Sequence, residues 1–579
     1  MCGISLIIDS KNDNYYGIRN RIYKMSKCLT HRGPDCNGIY INESNQIAIG
    51  HERLSIIDPQ SGQQPIEYED KYILSVNGEI FNYRELIKEH NLNSDYTFTT
   101  KSDCEVIIPL WIKFKTNMFN MLRGQFAFVL YDIQNKKIII SRDHIGICPL
   151  YYCYSNNNDT FYLASESKSI HKKTTKVFNF PPRNYMIINL DNMFFNIDDE
   201  NNTINLYNDT LIQEWYENAW LDNYNINTLP NSIFNENILF DLLHKSVDLR
   251  LMSDVKWGVL LSGGLDSSLI CSIASKLMKK KDPNFVITTF SIGLKNSPDL
   301  KYARTVAKYL NTNHYEFTYT LDQGNDVLES VIYHIETYDI TTIRASVPMF
   351  ILARKIKSLG FSMVLSGEGA DELFGGYLYF HQAPNKTEFF KETCDKILQL
   401  HLFDCLRANK SMAAWGIEVR VPFLDKEVVN YVMNLDPEYK MIKKKENSME
   451  KYILRHCFDK KDYLPNEILW RQKEQFSDGV GYGWIDFLKS ISEKIYGEYN
   501  LESYVCNIFP NPPISYESLM YRMIFDKHFY SSLHSTIQWS PTIACSTKRA
   551  LSWAKEFTYQ GEFGDASGRY VSIHNKNIN

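Results

Sequence analysis

The stretch "LLSGGLDSS" (260–268) runs an apolar strand into two glycines and then directly into a helix. Such a turn aims several backbone N–H groups at one point, with the positive helix end behind them, and so makes an anion cradle. It is not a Walker loop, because the required Lys-Ser/Thr pair is missing. Ser262, Ser267 and Ser268 add hydroxyl donors, and Asp266 can hold Mg²⁺ on a bound pyrophosphate. An ordinary capped strand–helix turn would also accept Gly-Gly-x-Asp. Three serines and an aspartate around two glycines favour the cradle.

The text around this loop keeps the same rhythm. From about residue 236, "ILFDLLHKSVDLRLM" has a helical period, "WGVLLSG" is a strand and "LDSSLICSIASKLMKK" a helix. "NFVITTFSIGL", "DLKYARTVAKYL", "HYEFTYTL", "MFILARKIKSLG" and "FSMVLSGEG" continue the alternation. Strands alternating with helices predict a parallel sheet covered on both faces. "VLSGEGADELFGGY" (364–377) then ends a second strand in Ser-Gly, with Glu368, Asp371 and Glu372 close behind. Ligands of parallel sheets bind at the carboxyl edge, so the two loops can face one pocket with Mg²⁺ between them. Acids at a helix N-terminus would explain the second loop alone equally well. "MEKYILR" (449–455) reads as a helix with Lys451 and Arg455 on one face, usually solvated surface.

The first 205 residues read differently. "YILSVNGEI", "QFAFVLYD" and "KIIISRD" are short β-branched or aromatic runs, with helical text in "FNYRELIKEH" and "SDCEVIIPLWIKF". Asparagine-rich text follows and marks a boundary. The expected division is a first domain over 2–205, a linker over 206–235, a second domain over 236–530 and a loosely ordered tail over 531–579.

The chain starts "MCGISLIID". Removal of Met1 would put the Cys2 thiol beside a free α-amine, whose reference pKa of about 7.7–8.0 suits a base near neutrality. A nucleophile paired with its own N-terminal amine is a known activation scheme. In the same half, "HERLSIID" (51–58), "NGEIFNY" (77–83) and "KSDCE" (101–105) set polar groups at strand ends or turns. Arg53, Glu79 and Asp103 supply the charges that the two ends of an amino acid such as glutamine require. Asn77 and the backbone of Gly78 supply donors of the oxyanion-hole type. Asn-Gly is also a common hairpin turn. "HRGPD" (31–35) is a rigid turn with a cation, either structural or covering the nucleophile.

Composition narrows the class. A net charge of −5 on 579 residues carries no basic footprint and argues against nucleic acid as a partner. The strongest basic run, "KLMKKKD", ends a helix. Twelve cysteines stand singly, with no CxxC pair, as expected of reduced thiols. No run approaches the ~18 apolar residues of a membrane span, and the N-terminal text lacks signal-peptide order. These features predict a soluble, cytoplasmic chain with neither nucleic acid nor membrane as partner.

Together MCGI, HRGPD, HERLSI, NGEIFNY, SGGLDSS, IETYD with TTIRAS, LSGEGADELFGGY, WGIEVRVPFLD, MEKYILR and RQKEQFSDGVGY resemble the glutamine-hydrolysing asparagine synthetases, two-domain class II amidotransferases. The resemblance implies an N-terminal-nucleophile glutaminase of stacked β-sheets between helices, joined to an ATP-pyrophosphatase α/β domain. It implies that Cys2 attacks glutamine, with Asn77 and Gly78 at the oxyanion and Arg53, Glu79 and Asp103 at the amino-acid end. ATP would bind at Leu261, Ser262, Gly263, Gly264, Asp266 and Ser267, near Ile292, and at Ser366 and Gly367. Aspartate would be adenylated, with pyrophosphate leaving on Mg²⁺ near Asp266 and Asp371. Ammonia would cross an internal tunnel, Glu368 would act on the intermediate and Lys451 would balance phosphate charge. The partners implied are glutamine, aspartate and ATP, with a homodimer admitted. Two rivals are an amidating synthetase that has lost its glutaminase and a nucleotide sensor without turnover. Cys2 with its ligand set opposes the first, and Cys2 together with the acidic loop opposes the second.

Overall fold

The structure, a computed structural model, describes residues 1–9, 15–44, 46–155, 159–174, 176–192, 195–198, 203–206, 212–443, 449–499, 501, 511–537, 546–553, 558–559 and 562–563. Two six-stranded sheets build the first domain. One orders its strands Phe178–Asn179, Tyr151–Ser155, Thr160–Ala164, Gly3–Asp9, Ile47–Arg53, Cys36–Asn42. The other runs Ile212–Glu214, Asn184–Asn189, Lys137–Arg142, Gly124–Asp132, Tyr72–Ile80, Ile66–Tyr68. Strand residues point alternately to opposite faces. Ile4, Leu6 and Ile8 of one sheet therefore meet Val129, Tyr131, Ile138 and Ile140 of the other in a single apolar layer. The opposite faces carry the helices, Tyr15–Lys27 on the first sheet among them.

The second domain holds a five-stranded parallel sheet. Its order is Asn313–Thr318, Thr288–Gly293, Trp257–Leu260, Met363–Leu365, Glu418–Arg420. From Trp257–Leu260 the chain adds two strands on one side, then crosses to Met363–Leu365 on the other. That reversal is a topological switch point, where open α/β sheets bind their ligands. Local capping agrees with the layout. Ser297 caps Pro298–Leu310, whose first residue is proline, and Asp339 accepts the Thr342 N–H at 2.9 Å to start Ile340–Ser358.

The structure departs from the sequence expectation in several places. The stretch expected as linker contains the strand Ile212–Glu214, paired to Asn184–Met186 of the first domain. The helix Ala219–Asn225 follows it. Within the expected tail, Leu533 and Ala550 are buried, and Thr547 bonds to Glu392 of the second domain. The rest of the tail lies largely outside the described residues. The sequence reading names no strand at Glu418–Arg420, the sheet's fifth. It is three residues long, too short for a period to show.

Buried charge ties the domains together. Asp425 pairs with Arg250 at 2.8 Å and with Arg123 of the first domain at 2.8 Å, and these guanidinium groups hold its carboxyl well below the ordinary range. Removing one partner of such a buried pair costs about 3–5 kcal/mol, because the other charge stays behind unpaired. No helix among the described residues is long and apolar enough to cross a membrane.

Candidate active site

At the switch point the loops after Trp257–Leu260 and Met363–Leu365 close on each other. Gly263 takes φ +74°, and a Cβ there would lie 2.4 Å from the Ala303 nitrogen. A Cβ on Gly367 would lie 2.7 Å from the Ser267 nitrogen. Only glycine permits this approach. Gly264 caps the 17-residue helix Leu265–Lys281 without a side-chain hydrogen bond, leaving its first turn open to an anion. Ser262 and Ser267 meet at 2.9 Å, and the Gly264 N–H donates to Ser262 at 3.3 Å. A cavity opens here, lined by Leu261, Ser262, Gly264, Asp266, Ser267, Ile292, Ser366, Gly367, Glu368, Asp371 and Lys451. Gly263, between two of these, turns its carbonyl to Arg471 at 3.2 Å.

The charges in this cavity form a compact lattice. Lys451 Nζ lies 2.6 Å from Asp266 and 2.6 Å from Asp371, and Lys473 Nζ lies 2.6 Å from the second oxygen of Asp371. These two ammonium groups overcome burial and hold Asp371 far below the ordinary carboxylate range. Asp266 Oδ1 is buried and accepts no hydrogen bond. Glu368 pairs with Arg407 at 2.7 Å, and Arg407 with Asp404 at 2.6 Å. Burial pushes Glu368 above its ordinary value, and Arg407 only partly offsets it. Lys451 and Arg455 do not form a solvated helix face; both line the cavity. The helix begins at Tyr452, and Lys451 precedes it with φ +59°, so it turns into the cavity. Both residues are buried, and Arg455 is held by Glu450 at 2.7 Å.

The first domain builds a second centre. Cys2 is buried, its Sγ accepting the Leu54 N–H at 3.4 Å, and burial raises its thiol pKa. Asn77, Gly78 and Glu79 lie inside the strand Tyr72–Ile80 and not in a hairpin turn. Both side-chain polar atoms of Asn77 are buried without partners. Asp103 accepts the Ile80 N–H at 2.6 Å, and burial pushes it up to about 6; Glu79 is pushed up by burial as well. Arg53 donates to the carbonyls of Asp58 at 2.6 Å and Ile57 at 3.1 Å, so it also orders the turn beyond its own strand. The HRGPD turn meets Cys2 through Arg32. Arg32 donates to the Cys2 carbonyl at 2.9 Å and to Asn409 of the second domain at 2.9 Å.

Several participants went unremarked in the sequence. Lys473 and Arg471 stand in RQKEQF, where nothing but the motif match signals a role. Arg407 and Asp404 lie in a helix that reads as ordinary amphipathic text. Glu418 and Arg420 come from the short fifth strand to the first domain's centre. Glu418 lies 3.2 Å from the Met1 α-ammonium, and Arg420 lies 3.6 Å from Glu79.

A family model described as a glutamine amidotransferase domain matches residues 1–194. One described as asparagine synthase matches 239–393 and 384–545. The chain is 46% identical over 588 residues to the asparagine synthetase [glutamine-hydrolyzing] of Zea mays, covering 99% of this chain and 94% of that protein. It is 47% identical over 564 residues to asparagine synthetase [glutamine-hydrolyzing] 3 of Arabidopsis thaliana, covering 96% and 92%.

Proposed function

As the chain belongs to the family of glutamine-hydrolysing asparagine synthetases, we infer that it makes asparagine from aspartate in an ATP-driven reaction, with nitrogen taken from glutamine. The observation that carries this reading is the pairing of two chemically different centres in one chain. One is a buried cysteine beside an unpartnered asparagine, and the other is a cavity where two carboxylates meet two ammonium groups.

The geometry supports the following residue roles. Cys2 Sγ attacks the amide carbon of glutamine, and Asn77 Nδ2 with the backbone of Gly78 stabilises the oxyanion. Ammonia leaves and water hydrolyses the thioester to glutamate. Glu79 and Asp103 face the α-ammonium and Arg53 the α-carboxylate of glutamine. In the second centre the β-carboxylate of aspartate attacks the α-phosphorus of ATP and expels pyrophosphate, whose charge Lys451 and Lys473 offset. Ammonia attacks the acyl-adenylate and displaces AMP. Glu368, raised by burial, takes the surplus proton, a task that favours a pKa near the working pH. Ammonia would travel along the interface where Asn409 meets Arg32 and the Ile147 carbonyl.

Mg²⁺ fits this donor set. Asp266 and Asp371 offer hard carboxylate oxygens, one of them without a hydrogen-bond partner. No group of three or more His, Cys, Asp or Glu able to hold a metal occurs among the described residues, so phosphate oxygens would complete the coordination. When bound, the ion would neutralise charge on the leaving pyrophosphate.

The test is direct. Incubation with ATP, Mg²⁺, aspartate and glutamine is expected to yield AMP, pyrophosphate, glutamate and asparagine in equal amounts. Release of ADP and phosphate, or glutamate without asparagine, would overturn the reading. A narrower prediction concerns Gly376. A Cβ there would come within 1.9 Å of Lys451 Cε and 2.3 Å of Asp371 Oδ1. Gly376→Ala is expected to displace Lys451 and lower synthesis about 10²-fold, with glutamine hydrolysis retained. Unchanged synthesis would show that Lys451 need not stand there.

A further inference from the structure

The two ammonium groups of the cavity come from separate segments. Lys451 stands just before the helix Tyr452–Phe458, and Lys473 lies in the loop after Asn466–Leu469. At the start of that loop Arg471 donates to the Gly263 carbonyl at 3.2 Å and pairs with Asp299 at 3.1 Å. Its guanidinium also sits 3.9 Å from the Tyr302 ring centre. Further on, the Gly479 carbonyl accepts the Ser297 hydroxyl at 2.7 Å. Between these two anchors the Lys473 N–H donates to Glu450 Oε1 at 2.8 Å.

Glu450 directly precedes Lys451 and is buried. Its Oε1 also accepts Arg455 Nη2 at 2.7 Å. Its Oε2 lies 3.3 Å from His381 Nε2, in the turn Leu378–Gln382 that follows the acidic loop. Arg455 in turn donates to the Glu450 carbonyl at 2.8 Å and to the Leu469 carbonyl at 2.5 Å. Burial alone would raise the Glu450 carboxyl, but the His381 ring and Arg455 hold it below its ordinary value. One carboxylate thus joins the segments that bear Asp371, Lys451 and Lys473, from behind the cavity wall.

We propose that Glu450 is a positioning residue for synthesis: it holds the Lys473 backbone in register with Lys451, so that both ammonium groups meet the leaving pyrophosphate together. The assignment rests on the synthetase reading above. Glu450 acts on Lys473 through its backbone N–H and leaves the ammonium group to Asp371. Lys451 and Lys473 approach different oxygens of Asp371, each at 2.6 Å, so the two segments have little room to slide. A shift of about 1 Å at such a site can cost about 10²-fold in rate, even when it originates away from the reacting atoms.

The test measures ammonium-dependent synthesis at varied aspartate and with added pyrophosphate. Glu450→Gln keeps the length of the side chain and loses the charge that binds Arg455. Glu450→Asp keeps the charge and draws the carboxylate back from the Lys473 N–H by one methylene. Each is expected to lower kcat about 10²-fold. Each should also raise the pyrophosphate concentration that halves the rate by about 10-fold, as for displacement of one of two cations on a phosphate. The aspartate KM should stay the same. Lys473→Met is expected to give the same pattern, because Glu450 works through that residue. Circular dichroism and thermal melting report that each variant is folded. A merely structural Glu450 would lower the melting temperature and leave pyrophosphate inhibition as in the wild type. Unchanged pyrophosphate inhibition in either folded variant overturns the assignment. Failure of both variants to fold makes Glu450 a structural residue and overturns it too. A wild-type chain that releases no pyrophosphate from ATP, aspartate and ammonium refutes the synthetase reading instead, and the two failures are thereby distinct.

Discussion

Asp371→Asn is expected to lower asparagine formation by about 10²–10³-fold, the scale on which lost electrostatic positioning acts, while glutamine hydrolysis continues. The reason is charge arithmetic in a buried place. Among the described residues, Asp371 is the only carboxylate that touches both Lys451 and Lys473, each at 2.6 Å. Asparagine has the same size but no charge, so two buried ammonium groups would share the single carboxylate of Asp266. They would repel each other and shift from the positions that the pyrophosphate requires. The glutaminase centre draws most of its side chains from the first domain, so its turnover should persist. Pyrophosphate release and glutamate production, followed in the same sample, separate the two. Equal loss of both activities in a folded variant would end this division of labour.

Much of the site could be read in the sequence because its chemistry is local. The loop 261–267 carries strand, glycines, serines and acid within a few positions, and the structure gathers all of them around one cavity. The acidic loop at 366–372 could be read for the same reason. What escaped reading depends on distant partners. Nothing in "MEKYILR" announces that Lys451 adopts a left-handed backbone and leaves the helix to meet two carboxylates 185 and 80 positions earlier. Asn-Gly at 77–78 taken alone suits a turn, but the strand expected from YILSVNGEI runs through it, with Gly78 at φ +138°. Pairing along Gly124–Asp132 overrides the local preference. Glu418–Arg420 is too short for period-two text, and its meaning lies in what it touches across the domain boundary.

Cys2→Ala is expected to abolish glutamine hydrolysis and leave ammonium-dependent synthesis near its wild-type rate. The thiol is the atom that must form the glutamyl thioester, and no neighbour can replace it. Cys104, another buried cysteine of this region, points its Sγ at the Gly78 carbonyl at 3.5 Å, and burial, with the carboxylates of Asp103 and Glu79, pushes its thiol well up, so it is a poor nucleophile. Alanine removes only the sulfur. Arg32 bonds to the Cys2 backbone carbonyl, not its side chain, so the link through Arg32 to Asn409 survives. The second domain therefore keeps its docking, and the lattice of Asp266, Asp371, Lys451 and Lys473 is untouched. Synthesis from ammonium should rise with moderately alkaline pH, because only unprotonated ammonia is nucleophilic and Glu368 then accepts the remaining proton. Glutamine still finds Arg53, Glu79 and Asp103 in the variant, and any effect it has on the ammonium-dependent rate measures coupling between the domains in isolation from chemistry. The measurement is asparagine formed from ammonium and from glutamine in parallel. A folded variant that makes asparagine from glutamine at the normal rate would remove Cys2 from the mechanism, and one that makes none from ammonium would show the two centres to be inseparable.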